Sequence, residues 1–177
     1  MTRAVLAIDQ GTTNTKALLI GFEGAILSKA ACPVGVCHPQ PGWAEQSPDQ
    51  IWSSVVEAAR KCLAAQPEVT IASIGISNQR ESVLIWERDG GRPLGPCVTW
   101  QCRRSTSRLE PLRKTDVART IFDKTGLVLD PMFPAAKIAW LLDAEGGLRE
   151  RAVRGEICAG TVDSWLVFKL TRGRVHA

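Results

Sequence analysis

The chain has 177 residues, is 45% hydrophobic, and carries a net charge of +4 from 22 basic and 18 acidic residues. That length and apolar share suit a folded chain with a sizeable core and exclude a disordered or collagen-like one. The mild charge argues against nucleic acid, no apolar stretch reaches membrane-spanning length, and the N-terminus lacks a signal-peptide cleavage pattern, so the cytoplasm is the expected compartment.

Ala4 to Ile8 and Ala17 to Ile20 are apolar runs that read as two strands, and the stretch between them is the most informative in the chain. Asp9 closes the first run. Gly11, Thr12, Thr13, Asn14, Thr15 and Lys16 follow. Gly11 offers close backbone approach, so the N–H groups of the turn can point at an anion, with the short side chains of Thr12, Thr13 and Asn14 adding donors. Asp9 is a hard oxygen ligand suited to Mg2+ beside phosphates, whose charge Lys16 can also meet. An ordinary hairpin turn would use the same glycine and asparagine. The aspartate before and the lysine after it favour a nucleotide phosphate turn.

Glu23-Gly24 turns the chain into a third strand, Ala25 to Ala30, which predicts a three-stranded antiparallel meander. Ser47-Pro48-Asp49-Gln50 supplies an N-cap, a first-turn proline, an acid and a capping-box glutamine, and apolar residues from Ile51 to Leu63 keep helical spacing. Val69 to Ile76 reads as a buried strand beside that helix, followed by strands at Ser82 to Glu87 and around Cys97 to Trp100. Short helices are predicted at Arg103 to Arg113, Thr115 to Phe122, Pro134 to Asp143 and Thr161 to Thr171, the last closed by Gly173. The basic group Arg103, Arg104, Arg108, Arg113 and Lys114 reads as a solvated helix face. The last helix is apolar on much of its surface, through Val162, Trp165, Leu166, Val167, Phe168 and Leu170, and is expected to pack against parts of a domain outside these residues, leaving an isolated chain poorly soluble.

The six cysteines are not spaced as zinc knuckles and read as free thiols. A second cluster begins where the strand at Ile76 runs into Ser77-Asn78-Gln79-Arg80-Glu81. Arg80 brings a planar fork of donors and Glu81 a pair of acceptors, and a vicinal polyol needs both. Trp100 offers a flat apolar face for the C–H side of a small sugar. Taken singly, Arg80 and Glu81 fit a surface ion pair and Trp100 a core aromatic equally well.

Asp9-Gln10-Gly11-Thr12-Thr13, Pro41-Gly42-Trp43-Ala44-Glu45, Ser77-Asn78-Gln79-Arg80-Glu81, Trp100-Gln101-Cys102-Arg103-Arg104, Thr125-Gly126-Leu127 with Asp130-Pro131, and Gly160-Thr161-Val162-Asp163-Ser164-Trp165 occur in that order. Together they make a chain that resembles the FGGY carbohydrate kinases, and within them the glycerol kinase branch, over nearly its whole length. The resemblance implies an α/β, ribonuclease H-like fold of the sugar kinase, actin and Hsp70 superfamily, and ATP-dependent phosphorylation of a polyol or sugar hydroxyl. It implies Gly11, Thr12, Thr13, Asn14 and Lys16 at the ATP phosphates, Asp9 at Mg2+, and Arg80, Glu81 and Trp100 around the polyol. Met132 departs from the pattern, since a substrate-contacting tyrosine follows the Asp-Pro pair in the glycerol kinase branch.

The resemblance further implies that residues 1–177 are part of the N-terminal domain, that a second domain is absent from this sequence, and that the catalytic base lies beyond Ala177. No catalytic residue is assigned within the chain. A homo-oligomer is compatible with this reading. Two readings of another class stand beside it: a non-catalytic nucleotide- or sugar-binding module or gene remnant, and an actin- or Hsp70-like ATPase that has no need of a polyol cluster.

Overall fold

The computed structural model describes Thr2 to His176. Ala177, beyond which the sequence reading puts the catalytic base, is outside the described residues. In chain order the elements are β1 (Arg3–Gln10), β2 (Asn14–Gly21), β3 (Ile26–Pro33), β4 (Glu45–Gln46), α1 (Pro48–Ala64), β5 (Thr70–Asn78), β6 (Val83–Glu87) and β7 (Cys97–Val98). They continue as α2 (Thr106–Leu109), a 3-10 turn (Leu112–Lys114), α3 (Asp116–Thr125), α4 (Pro134–Asp143), α5 (Leu148–Val153), β8 (Ile157–Thr161) and α6 (Val162–Leu170). The chain divides into two compact units, Met1–Val36 with Gln46–Gln79, and Cys37–Glu45 with Arg80–Ala177.

The first unit is a four-stranded sheet in the order β3-β2-β1-β5, with β1, β2 and β3 antiparallel and β5 parallel to β1. The meander expected from the sequence is therefore present. Its alternation is what puts one face under α1: Ala4, Leu6 and Ile8 of β1 and Ala17 and Leu19 of β2 are buried, against Ile51, Val55, Ala58 and Cys62 of the helix. Ser47 caps α1 by accepting the Gln50 N–H at 3.3 Å, and Pro48 sits in its first turn. A buried pair of hydroxyls, Thr15 Oγ1 and Ser54 Oγ at 2.7 Å, pins β2 to the helix.

One strand departs from expectation. The alternation of Val69 to Ile76 predicts a buried strand, yet Ala72, Ser73, Gly75 and Ser77 are exposed and Ile74 is 48% exposed. The helix lies over β2 and β3 and reaches β1, which leaves it off β5 within this unit. Alternation identifies a strand; it does not say what lies on top of it.

The second unit is built on β6, whose Val83, Leu84, Ile85 and Trp86 are buried on both faces of the strand. Its sheet runs β4-β7-β6-β8, and β6 pairs antiparallel with β8 from Val83 opposite Thr161 to Glu87 opposite Ile157. Trp86 packs on Trp165 at 5.3 Å and on Phe168 at 5.7 Å between ring centroids. Gly91 takes φ +66 and lies so close to Phe168 that a Cβ there would fall 2.5 Å from the ring.

Most of the apolar surface of α6 is thus already used, with Val167 half-buried and Leu170 exposed. Val162, Trp165, Leu166 and Phe168 are buried within their own unit, which overturns the expectation that they await parts outside the chain. The basic group differs as well. Arg104 is buried, whereas Arg103, Arg108 and Arg113 pair with Asp130, Asp143 and Glu110. The helix read across Arg103 to Arg113 is only the four residues of α2 and a 3-10 turn, because Pro111 interrupts it.

Candidate functional site

The β1–β2 turn is held by its backbone. Gly11 donates its N–H to the Asn14 carbonyl at 2.9 Å, and a Cβ at Gly11 would stand 3.1 Å from that oxygen, so the position favours glycine. Val34 N donates to the Thr13 carbonyl at 2.9 Å. Asp9, Thr13, Asn14 and Lys16 are exposed, while Gly11 and Thr12 are half-buried. Asp9 faces Lys16 across the ladder and stands beside Ser77 of β5, so the carboxylate and the ammonium lie on one face of the sheet.

Beneath this turn lies a set of side chains that sequence reasoning passed over. Gln10, Gln46 and Gln79 are buried. Gln79 Nε2 donates to Gln10 Oε1 at 3.0 Å and to Gln46 Oε1 at 2.8 Å. Gln46 Nε2 donates to the Thr12 carbonyl at 2.8 Å and to the Gly35 carbonyl at 3.2 Å, and Gln10 Nε2 to the Gly11 carbonyl at 2.8 Å. Thr12 Oγ1 adds a longer bond, 3.4 Å, to Gln79 Oε1. The carbonyls of the turn are therefore taken up from below by amide donors, which fixes the plane of each peptide and hence the direction of its N–H groups. All three glutamines occur in or beside the quoted motifs. Their shared burial was the signal missed.

Arg80, Glu81, Trp100 and Met132 belong to the second unit, on three separate segments. Arg80 is exposed, and no ion pair joins it to Glu81 among the described residues. Glu81 has φ +64, a left-handed conformation that costs a non-glycine residue on the order of 1–2 kcal/mol. Such strain is retained only where surrounding bonds enforce it. Trp100, 41% exposed, donates its N–H to Ser82 Oγ at 3.1 Å. Met132 is half-buried and donates its N–H to Asp130 Oδ1 at 2.8 Å, an oxygen that also lies 3.8 Å from Arg103 Nη1. Asp130 thus ties the Met132 segment to the one carrying Trp100.

Two buried cations belong to the same unit: Arg104, read from the sequence as part of a solvated helix face, and Lys137, not singled out there. Arg104 lies over the Trp43 ring, 4.0 Å from its centroid, and 4.9 Å from that of Trp140; it pairs with Glu45 and donates to Cys102 Sγ at 3.0 Å. Lys137, on α4, is fully buried; Nζ donates to the Glu81 carbonyl at 2.5 Å and to the Thr99 carbonyl at 3.3 Å. Burial pulls its pKa down from the ordinary lysine range to about 8, against the opposing pull of Cys102, Glu81, Cys97 and Asp130. Burial pushes the Cys97 thiol up to about 12.

Comparison with known proteins bears on what this arrangement serves. The N-terminal domain of the FGGY family of carbohydrate kinases matches residues 4–177. The chain belongs to the FGGY family of carbohydrate kinases. A glycerol kinase of Thermus brockianus is 48% identical over 176 residues, covering 98% of the chain and 35% of that relative. An apulose kinase of Pectobacterium atrosepticum is 47% identical over 177 residues, 99% of the chain and 36% of that relative. Among solved structures, Plasmodium falciparum glycerol kinase with ADP superposes with a TM-score of 0.92 at 29% identity, over 97% of the chain and 35% of that protein. The chain spans about a third of the length of these FGGY relatives. The fold is accordingly the mixed α/β fold of the sugar kinases over their N-terminal third.

Proposed function

We propose that the protein carrying this FGGY domain is a cytoplasmic, ATP-dependent kinase for a hydroxyl of a polyol or sugar. The observation that carries the proposal is the β1–β2 turn, whose backbone is fixed from below by three buried glutamines while Asp9, Thr13, Asn14 and Lys16 stand exposed above it. Gly11, Thr12, Thr13 and Asn14 then serve as donors to the ATP phosphates, and Lys16 meets their charge. A fixed set of donors suits phosphoryl transfer, which depends mainly on positioning and on stabilising charge in line.

Asp9 is the residue that would hold Mg2+, and the ion would supply further neutralisation of the phosphate oxygens. The fit is that of an ion bound mostly by phosphate and water with a single carboxylate, since no group of three metal-ligating side chains occurs among the described residues. No helix in the described residues is long and apolar enough to cross a membrane. Arg80 and Glu81 are assigned to the hydroxyls of the acceptor and Trp100 to its C–H face. Met132 presents a thioether, at best a weak acceptor, which favours a substrate with carbon at that point over glycerol. The proposal assigns no general base to these 177 residues.

The test is a substrate panel on the complete protein with ATP and Mg2+, comparing glycerol, longer polyols and ketoses. Phosphorylation of at least one of them is expected, with glycerol not preferred and with Arg80→Ala and Glu81→Ala each weakening its binding about tenfold or more, as loss of a bond to a charged group does. ATP hydrolysis with no phosphorylated acceptor would instead return the protein to the actin- or Hsp70-like reading.

A further inference from the structure

Lys137 is fully buried, yet its ammonium meets two main-chain carbonyls rather than a paired carboxylate. An apolar side chain of similar length would fill the same space without the desolvation of a charge, so what the ammonium adds is direction. The two carbonyls belong to Glu81 and Thr99. Val83 pairs with Val98 across β6 and β7, and continuing that register sets Ser82 opposite Thr99 and Glu81 opposite Trp100, past the last paired residues. Beyond the end of the ladder, the tie between the two segments passes to side chains: Ser82 Oγ accepts from Trp100 N, and Lys137 bridges Glu81 and Thr99. Glu81 is also the residue held at φ +64.

We propose that Lys137 is a positioning residue for the polyol site: its ammonium draws the Glu81 and Thr99 carbonyls toward one point and thereby holds the left-handed Glu81 and the adjoining Trp100 in the arrangement that receives the substrate. This rests on the assignment of Glu81 and Trp100 to the polyol. The titratable groups facing Nζ are the Glu81 and Asp130 carboxylates and the Cys97 and Cys102 thiols. Burial keeps Cys97 protonated well above neutrality. As pH rises through about 8 Lys137 loses its proton, and a neutral amine holds the carbonyls less firmly than an ammonium. Polyol affinity therefore falls over that interval.

The experiment uses the complete protein and Lys137→Met, which keeps the length of the side chain and removes its donors. The polyol KM should rise about tenfold or more while the KM for ATP stays within about twofold, and the backbone amide resonances of Glu81 and Trp100 should move. Lys137→Gln, which restores an N–H donor, should recover part of the loss. In the unmodified protein the polyol KM should climb with a midpoint near pH 8. The same midpoint should persist in Cys102→Ala and vanish in Lys137→Met. A folded Lys137→Met protein with unchanged polyol KM overturns the proposal; if that variant does not fold, a flat polyol KM between pH 7 and 9 in the unmodified protein overturns it equally. Displaced Glu81 and Trp100 resonances in a protein that binds no polyol would remove the polyol assignment and leave the pinning by Lys137 standing.

Discussion

Gln79→Leu tests whether the buried glutamines hold the phosphate turn. The substitution keeps side-chain bulk but withdraws the Nε2 group that donates to Gln10 Oε1 at 3.0 Å and Gln46 Oε1 at 2.8 Å, and the oxygen approached by Thr12 Oγ1. Gln10 and Gln46 are buried, so their two acceptors are left without this donor and out of reach of bulk water. Each such orphaned acceptor costs about 1–3 kcal/mol, which gives a loss of about 2–6 kcal/mol for the pair. At roughly 2–4 °C per kcal/mol for a chain of this size, the melting temperature should drop by about 4–24 °C. Thermal unfolding followed by circular dichroism measures it, alongside ATP affinity, which should weaken because Gln46 and Gln10 no longer hold the Thr12 and Gly11 carbonyls in place. A fall in melting temperature under about 2 °C with ATP affinity unchanged would refute the reasoning, because the network would then be replaceable by water or by apolar contact.

Two further outcomes are expected. In the complete protein Asp9→Ala should lower turnover by more than about tenfold, or about 1.4 kcal/mol, while polyol binding measured by calorimetry stays near that of the unmodified protein; a smaller loss removes the metal role. Arginines hold the Glu87 and Glu156 carboxyls below the usual carboxylate range, Arg92 and then Arg151 for Glu87, Arg154 and then Arg151 for Glu156. Because these folded-state values are depressed, the stabilisation is present above the ordinary carboxylate range and is lost as pH falls through the lowered values. Arg151→Ala should therefore lower the melting temperature at neutral pH and make little difference in strong acid, and an equal difference at both would contradict the pairing.

Periodicity and caps made much of the framework legible. Ser47-Pro48 marks the start of α1, Pro134 that of α4, and the apolar runs flanking Asp9 to Lys16 mark β1 and β2. What stayed hidden depends on tertiary neighbours. Gln10, Gln46 and Gln79 are separated by 33 or more residues and look like ordinary surface amides until β5 returns beside β1. Lys137 reads as a solvated helical lysine, although it lies one turn before the buried Leu141 and so on the face of α4 that turns inward. β8 was missed because Ile157 to Thr161 is short and runs straight into α6, and the burial of α6 depends on Trp86, some eighty residues earlier.

The uncovered strand β5 has a consequence for how the chain behaves in solution. Its nine residues, Thr70-Ile71-Ala72-Ser73-Ile74-Gly75-Ile76-Ser77-Asn78, carry no charge and no proline, and among the described residues β1 is its one neighbouring strand in the sheet. The opposite margin, β3, is guarded by Lys29 and ends in Pro33. A long, uncharged margin of this kind, through Ile71 to Ser77, is a template for another strand, about 4.8 Å away, from this polypeptide or from a neighbouring one. Self-association of these residues in isolation would accordingly grow from β5 by sheet extension rather than from the aromatic surface of α6, and a lysine at Ser73 or Ser77 would be the change that suppresses it.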